Sequence, residues 1–158
     1  MSILYFAYGS CMDKERLMEA GVIEEFELIG IGRIDGWRFC MNKRSGCRRY
    51  VWANVEKDEK SYVYGVLYQV SDRGHKYLDH REQYPEHYEK EYVTVKIEEH
   101  LYENVMIYVA TAEYKCQAGL PTTQKYEIEL NRGGASLPEP YRTQSLLKEI
   151  QRCQSYKK

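Results

Sequence analysis

Glu82 closes the segment Tyr77-Leu78-Asp79-His80-Arg81-Glu82, whose helical spacing swings its carboxylate toward the side of Leu78 and Tyr77 rather than toward water. Desolvation there disfavours the charged form, and a glutamate tuned toward neutrality can take a proton and later return it. The same spacing also suits a plain salt bridge at a helix end. A second group with chemical potential is Gly9-Ser10-Cys11, which follows a short apolar run and precedes a helix. Consecutive backbone N–H groups at such a turn converge on an anion or a developing oxyanion, and a glycine there also simply satisfies the turn's dihedral angles. Cys11 at a helix start has the setting of a thiolate nucleophile, but no His accompanies it in the pattern.

Other constellations lead elsewhere. Gly30-Ile-Gly32-Arg-Ile-Asp-Gly36 has the spacing G-x-G-x-x-x-G and opens no helix, so its glycines are expected to permit strand bending or close backbone approach rather than to bind a dinucleotide. His80-Arg81-Glu82 is half of a zinc deaminase signature, without the P-C-x-x-C that completes it. His75, His87 and His100 complete no ligand set, so no metal is expected and most of these histidines are expected in water. Lys43-Arg44-Ser45-Gly46-Cys47-Arg48-Arg49 with Tyr50 and Trp52 offers charge beside stacking rings, which fits a solvated hairpin tip, an anionic small-molecule contact or a single-strand groove. A net charge of −1 from 23 basic and 24 acidic residues provides no long-range field toward nucleic acid or membrane, and neither partner is expected.

The elements that must position these groups read as follows. Ile3 to Tyr8 is a buried strand, Asp13 caps a short helix through Leu17, Met18 and Ala20 to a stop at Gly21, and Glu25 to Val70 is strand-rich with turns at Gly46 and at Lys57 to Lys60. Asp72 caps a helix to about Glu82. Tyr88 to Ile97 and Val105 to Thr111 return to strand, with Tyr92, Val95 and Ile97 as core candidates. Pro121-Thr122 starts a helix ending at Gly133-Gly134, and Pro138 starts another carrying Leu146, Leu147 and Ile150. Strands with irregularly interspersed helices imply α+β with a small, mostly antiparallel barrel, as a single domain over residues 1–158. The 16 tyrosines, against 3 Phe and 2 Trp, want partners for their hydroxyls and hint at a wet cleft. Five cysteines without a C-x-x-C pair, no signal peptide and no membrane span fit a reduced, cytoplasmic protein.

Taken together, three stretches resemble one family. Tyr5-Phe6-Ala7-Tyr8-Gly9-Ser10-Cys11-Met12 is similar to the Tyr-Gly-Ser-Asn opening of the gamma-glutamylcyclotransferase-like family. Leu78-Asp79-His80-Arg81-Glu82 with Tyr84-Pro85 and Tyr88 resembles its Leu-Asp-x-x-Glu-Gly stretch. Pro121-Thr122 to Tyr126, with Gly134-Ala135-Ser136-Leu137-Pro138 through Tyr141, resembles its C-terminal helix pair. The resemblance implies a small β-barrel with flanking helices and release of 5-oxoproline from a gamma-glutamyl amine or amino acid, a reaction of the lyase or acyltransferase type needing no cofactor. It implies Glu82 as the catalytic proton carrier. It also implies substrate binding by Tyr8, by the Gly9, Ser10 and Cys11 amides on the γ-carbonyl oxygen, and by the Tyr88 and Tyr126 hydroxyls on the α-carboxylate. Cys11 in place of Asn, Gln83 in place of Gly and Thr122 in place of Ser depart from the pattern and bear on specificity. A non-catalytic binding module of the same fold, for an amino-acid-like ligand or a protein, is the competing expectation.

Overall fold

The computed structural model describes residues 2–117 and 119–157. The apolar run at the N-terminus forms β1 (Ser2–Ala7), whose Tyr5, Phe6 and Ala7 are buried. A 3-10 turn, Ser10–Met12, leads to α1 (Lys14–Glu19). The strand-rich stretch is a long ribbon of β2 (Phe26–Arg44) and β3 (Val51–Ser71), followed by α2 (Asp72–Arg81). The hairpin β4 (Tyr88–Ile97) and β5 (His100–Ala110) precedes α3 (Gln124–Gly133). A π-helical stretch, Arg142–Leu147, runs into α4 (Lys148–Gln154).

The five strands close into a barrel in the order β1-β3-β2-β4-β5. Neighbours are antiparallel except where β1 meets β5 in parallel at Tyr5 and Met106, which makes the sheet mostly antiparallel, as the sequence implies. Closure leaves no long edge and creates an interior, filled by Phe6, Ile34, Leu67 and Ile107 among others, each worth about 1.5 to 3 kcal/mol when fully buried. Among the described residues no helix is long and apolar enough to cross a membrane.

Bulges shape the ribbon. Met41 pairs with Ala53 and Lys43 with Trp52, so Asn42 is one extra residue in β2, a device that re-aims neighbouring side chains. The Met41 backbone beside it is bonded by the C-terminal helix instead, its N–H to Glu149 at 2.9 Å and its carbonyl from Arg152 at 3.1 Å. Lys57 to Lys60 is not a turn between strands. The residue opposite Trp37 is Lys57 and that opposite Asp35 is Tyr62, so the charged stretch is a wide bulge inside a continuous β3, folded on itself by Asp58 accepting from Lys60 N and Ser61 Oγ. The Gly30–Gly36 run lies within β2, where a Cβ on Gly32 would collide with Val95 Cγ1 on β4. Close strand approach, not a phosphate, explains that glycine.

Helix α2 is capped by Ser71, whose hydroxyl accepts from Gly74 N at 3.1 Å, one residue earlier than the expected Asp72. Its Leu78 is fully buried against the barrel. Asp13 precedes α1 without capping it through its side chain. Its carboxylate is held by Arg132 of α3 at 2.7 and 3.1 Å, which fixes α3 over the Ser10–Met12 turn. Tyr92 is not a core residue. It lies in the half of β4 that pairs with β5 alone, since among the described residues β2 pairs with β4 at Arg33 and Lys96, and the residue is 63% exposed.

Candidate active site

Glu82 is the residue on which α2 stops, its N–H still bonded to Leu78 O at 2.8 Å. The chain then turns through Gln83, whose φ of +50° lies in the left-handed region that favours glycine. This exit faces the half-buried Glu82 side chain into a cavity of about 380 Å³. Among the described residues no donor hydrogen-bonds the Glu82 carboxylate. Burial raises its pKa above the ordinary glutamate range, while the charges of Arg81, Lys43 and Arg16 pull it back.

The Gly9-Ser10-Cys11 turn lines the same cavity. The turn's internal bonds start at Met12 N, to Gly9 O, and Asp13 N, to Ser10 O, both at 3.0 Å. The N–H groups of its opening residues therefore have no carbonyl within the turn to reach. The Ser10 hydroxyl accepts from Arg81 at 2.8 Å, tying the turn to the residue before Glu82, and Cys11 O accepts from Tyr68 OH at 3.1 Å. A Cβ on Gly9 would sit 3.1 Å from Ala53 Cβ and 3.3 Å from the Tyr126 hydroxyl, so the loop lies close against β3 and α3. The Cys11 thiol is buried, and burial pushes its pKa up against the opposing pull of Arg81. No described residue lining the cavity is a histidine. A thiol so placed lacks both the ionisation and the base of a nucleophile.

Three tyrosines of the cavity are anchored through their hydroxyls. Tyr8 donates to Tyr108 O at 2.6 Å and Tyr88 donates to Ala53 O at 2.7 Å. Tyr126 instead accepts from Ala53 N at 3.1 Å. The direction matters. Tyr8 and Tyr88 have committed their protons and present only lone pairs to a ligand, whereas the Tyr126 proton has no acceptor among the described residues and can be donated. Burial raises all three phenols, which stay protonated.

All seven residues singled out in the sequence thus lie on one cavity wall. The wall also holds cations that the sequence did not single out, Arg16, Lys43, Arg81 and Lys125, with Glu129 as a second carboxylate. Lys43 was visible only as part of a basic run. Gly46 to Arg49 do form an exposed tip, but the Asn42 bulge precedes a Lys43 that is 3% exposed, with Nζ 2.7 Å from His87 Nδ1. Burial lowers the Lys43 pKa to about 8, Glu82 opposing and Arg44 assisting. His87 departs from the expected solvated histidine: it is buried and stacked on Tyr114 at 3.8 Å, whereas His80 and His100 are exposed. Among the described residues no cluster of three or more His, Cys, Asp or Glu side chains is arranged to hold a metal.

The family model described as gamma-glutamyl cyclotransferase, AIG2-like, matches residues 5–128. YkqA of Bacillus subtilis is 30% identical over 152 residues, covering 94% of this chain and 52% of its own length. The chain therefore spans about half of that relative. The crystal structure of YkqA superposes with a TM-score of 0.81 at 26% identity, over 99% of this chain and 56% of that one. A solved gamma-glutamyl cyclotransferase matches in fold with a TM-score of 0.73 at 17% identity, over 99% of this chain and 89% of that one. A yeast gamma-glutamyl cyclotransferase specific to glutathione matches with a TM-score of 0.68 at 14% identity, over 99% and 97%.

Proposed function

Because this chain belongs to the gamma-glutamyl cyclotransferase, AIG2-like family, we propose that it releases 5-oxoproline from a small gamma-glutamyl amine or gamma-glutamyl amino acid. The α-ammonium of the substrate gives a proton to Glu82. The freed amine attacks its own γ-carbonyl, forming the ring C–N bond. Oxyanion charge develops toward the Gly9, Ser10 and Cys11 amides. Glu82 then returns the proton to the leaving nitrogen as its C–N bond breaks, and takes the second proton, which the attacking nitrogen carries after ring closure, to pass it to the departing amine, giving 5-oxoproline and an ammonium product. Closure of a five-membered ring brings effective molarities of about 10⁵ M or more, so positioning and proton transfer are what the protein has left to supply.

The observation that carries this proposal is the Glu82 carboxylate, desolvated, without a hydrogen-bond donor among the described residues, and facing the same cavity as the turn amides. A structural carboxylate is normally hydrogen-bonded; one held ready for a proton is not. Hydroxyl directions divide the tyrosines more finely than the sequence did: Tyr126 donates to the α-carboxylate, while Tyr8 and Tyr88 offer lone pairs that suit the α-ammonium. The five cysteines are free thiols, which suits a reducing compartment such as the cytoplasm. Incubation of the purified chain with a panel of gamma-glutamyl amides tests the proposal, with 5-oxoproline followed by mass spectrometry. Release from at least one member is expected; ligand binding without release from any would make the chain a binding module.

A further inference from the structure

Lys43 poses a problem that the cavity must solve. Its ammonium is buried, yet among the described residues no carboxylate lies within salt-bridge distance of it. Its one hydrogen-bond partner is the neutral ring nitrogen of His87, and the Tyr88 and Tyr114 rings, 5.3 and 5.1 Å away, give weaker compensation. An ammonium has three donors, so two remain. A buried cation without an anion is expensive unless a ligand brings one, and Lys43 lines the cavity where a ligand would sit.

The location says which anion. Lys43 pairs in register with Trp52, next to Ala53, and Ala53 is the residue whose carbonyl and N–H engage Tyr88 and Tyr126. The lysine is therefore at the end of the cavity formed by Tyr88 and Tyr126, where the uncommitted Tyr126 proton also faces. His87 follows the Gln83 turn, its N–H bonded to Gln83 O at 2.9 Å, so the contact that fixes Lys43 comes from the segment carrying Glu82. Resting on the cyclotransferase proposal, we infer that Lys43 is the cation that holds the α-carboxylate of the gamma-glutamyl group, with His87 as the positioning residue that aims it. The substrate's carboxylate supplies the missing counter-charge, and its α-amine is thereby oriented toward Glu82.

The test compares a gamma-glutamyl amide with the 4-aminobutyryl amide of the same amine, which lacks only the α-carboxylate and would cyclise to 2-pyrrolidinone. Wild type should favour the gamma-glutamyl substrate in kcat/KM by about 100-fold or more, and Lys43→Met, close in shape and free of the buried charge, should shrink that preference below about tenfold. His87→Leu should raise KM with little change in kcat, and His87→Asn, whose side-chain oxygen replaces Nδ1 as acceptor, should restore it. Unchanged discrimination in Lys43→Met would overturn the inference while leaving the cyclotransferase proposal standing. So would lost preference for a carboxylate on the leaving amine instead. If wild type releases no 5-oxoproline, that proposal fails, and calorimetry with 5-oxoproline and 2-pyrrolidinone still decides about Lys43. Carboxylate-dependent binding lost in Lys43→Met upholds its role; equal binding, or none, removes it.

Discussion

Tyr88 and Tyr126 bond the two backbone polar groups of the same residue, Ala53, and replacing each by Phe should separate two effects that usually travel together. Tyr88→Phe leaves Ala53 O without the donor now at 2.7 Å; Tyr126→Phe leaves Ala53 N–H without the acceptor now at 3.1 Å. Ala53 is 2% exposed, so either change strands a buried backbone group, at about 1 to 3 kcal/mol. For a chain of this size each kcal/mol moves Tm by about 2 to 4 °C, so both variants should melt several degrees lower by calorimetry. Ligand binding should distinguish them. Only Tyr126 has a proton left to give, and a hydrogen bond to a charged group is worth about 1.5 to 3 kcal/mol, or roughly 10- to 150-fold. Affinity for 5-oxoproline should fall by that factor in Tyr126→Phe and by less than about threefold in Tyr88→Phe. An equal or larger loss in Tyr88→Phe would refute the assignment of hydroxyl directions.

Three further outcomes follow from the geometry. Cys11→Ala should keep turnover within about tenfold of wild type, with no covalent glutamyl adduct in either protein by mass spectrometry, because the substrate's own amine is the nucleophile; inactivity together with a wild-type adduct would point to an acyl enzyme. Gln83→Gly should stabilise the chain by about 1 kcal/mol in denaturant titration, since Gln83 holds a φ of +50° that only glycine adopts freely; a destabilised variant would show that the Gln83 side chain contributes more than its backbone loses. Glu82 binds its proton more tightly in the folded state, so wild-type stability should decline relative to Glu82→Gln as pH rises from the unfolded value of about 4.3 through the raised folded value; parallel stability curves across that window would mean the carboxylate is not desolvated.

Much of the site was legible because its chemistry is local in sequence. The strand-turn-helix pattern around Gly9 and the helix ending at Glu82 need only short-range periodicity and capping to be recognised, and both elements occur as expected. Lys43 was not legible. Its inward aim follows a one-residue bulge, its partner His87 is 44 residues away, and a basic run reads as solvent-exposed until the fold shows otherwise. The Lys57–Lys60 bulge was missed for a related reason, since charge and turn chemistry mark a break in register as readily as a reversal of direction. The exposed Tyr92 reflects which half of β4 lacks a second neighbour, a property of barrel closure rather than of its own alternation. Phenolic hydrogen-bond directions likewise exist only once the backbone of Ala53 is in place.

The most direct test of proton transfer by Glu82 is 5-oxoproline release by wild type and Glu82→Gln, measured beside the affinity of each for 5-oxoproline by calorimetry. Gln keeps the shape of the side chain and removes its ability to accept the ammonium proton, so turnover should fall by about 100-fold or more while affinity stays within about threefold. Turnover in Glu82→Gln within about tenfold of wild type, with affinity intact, would contradict Glu82 as the group that moves the proton.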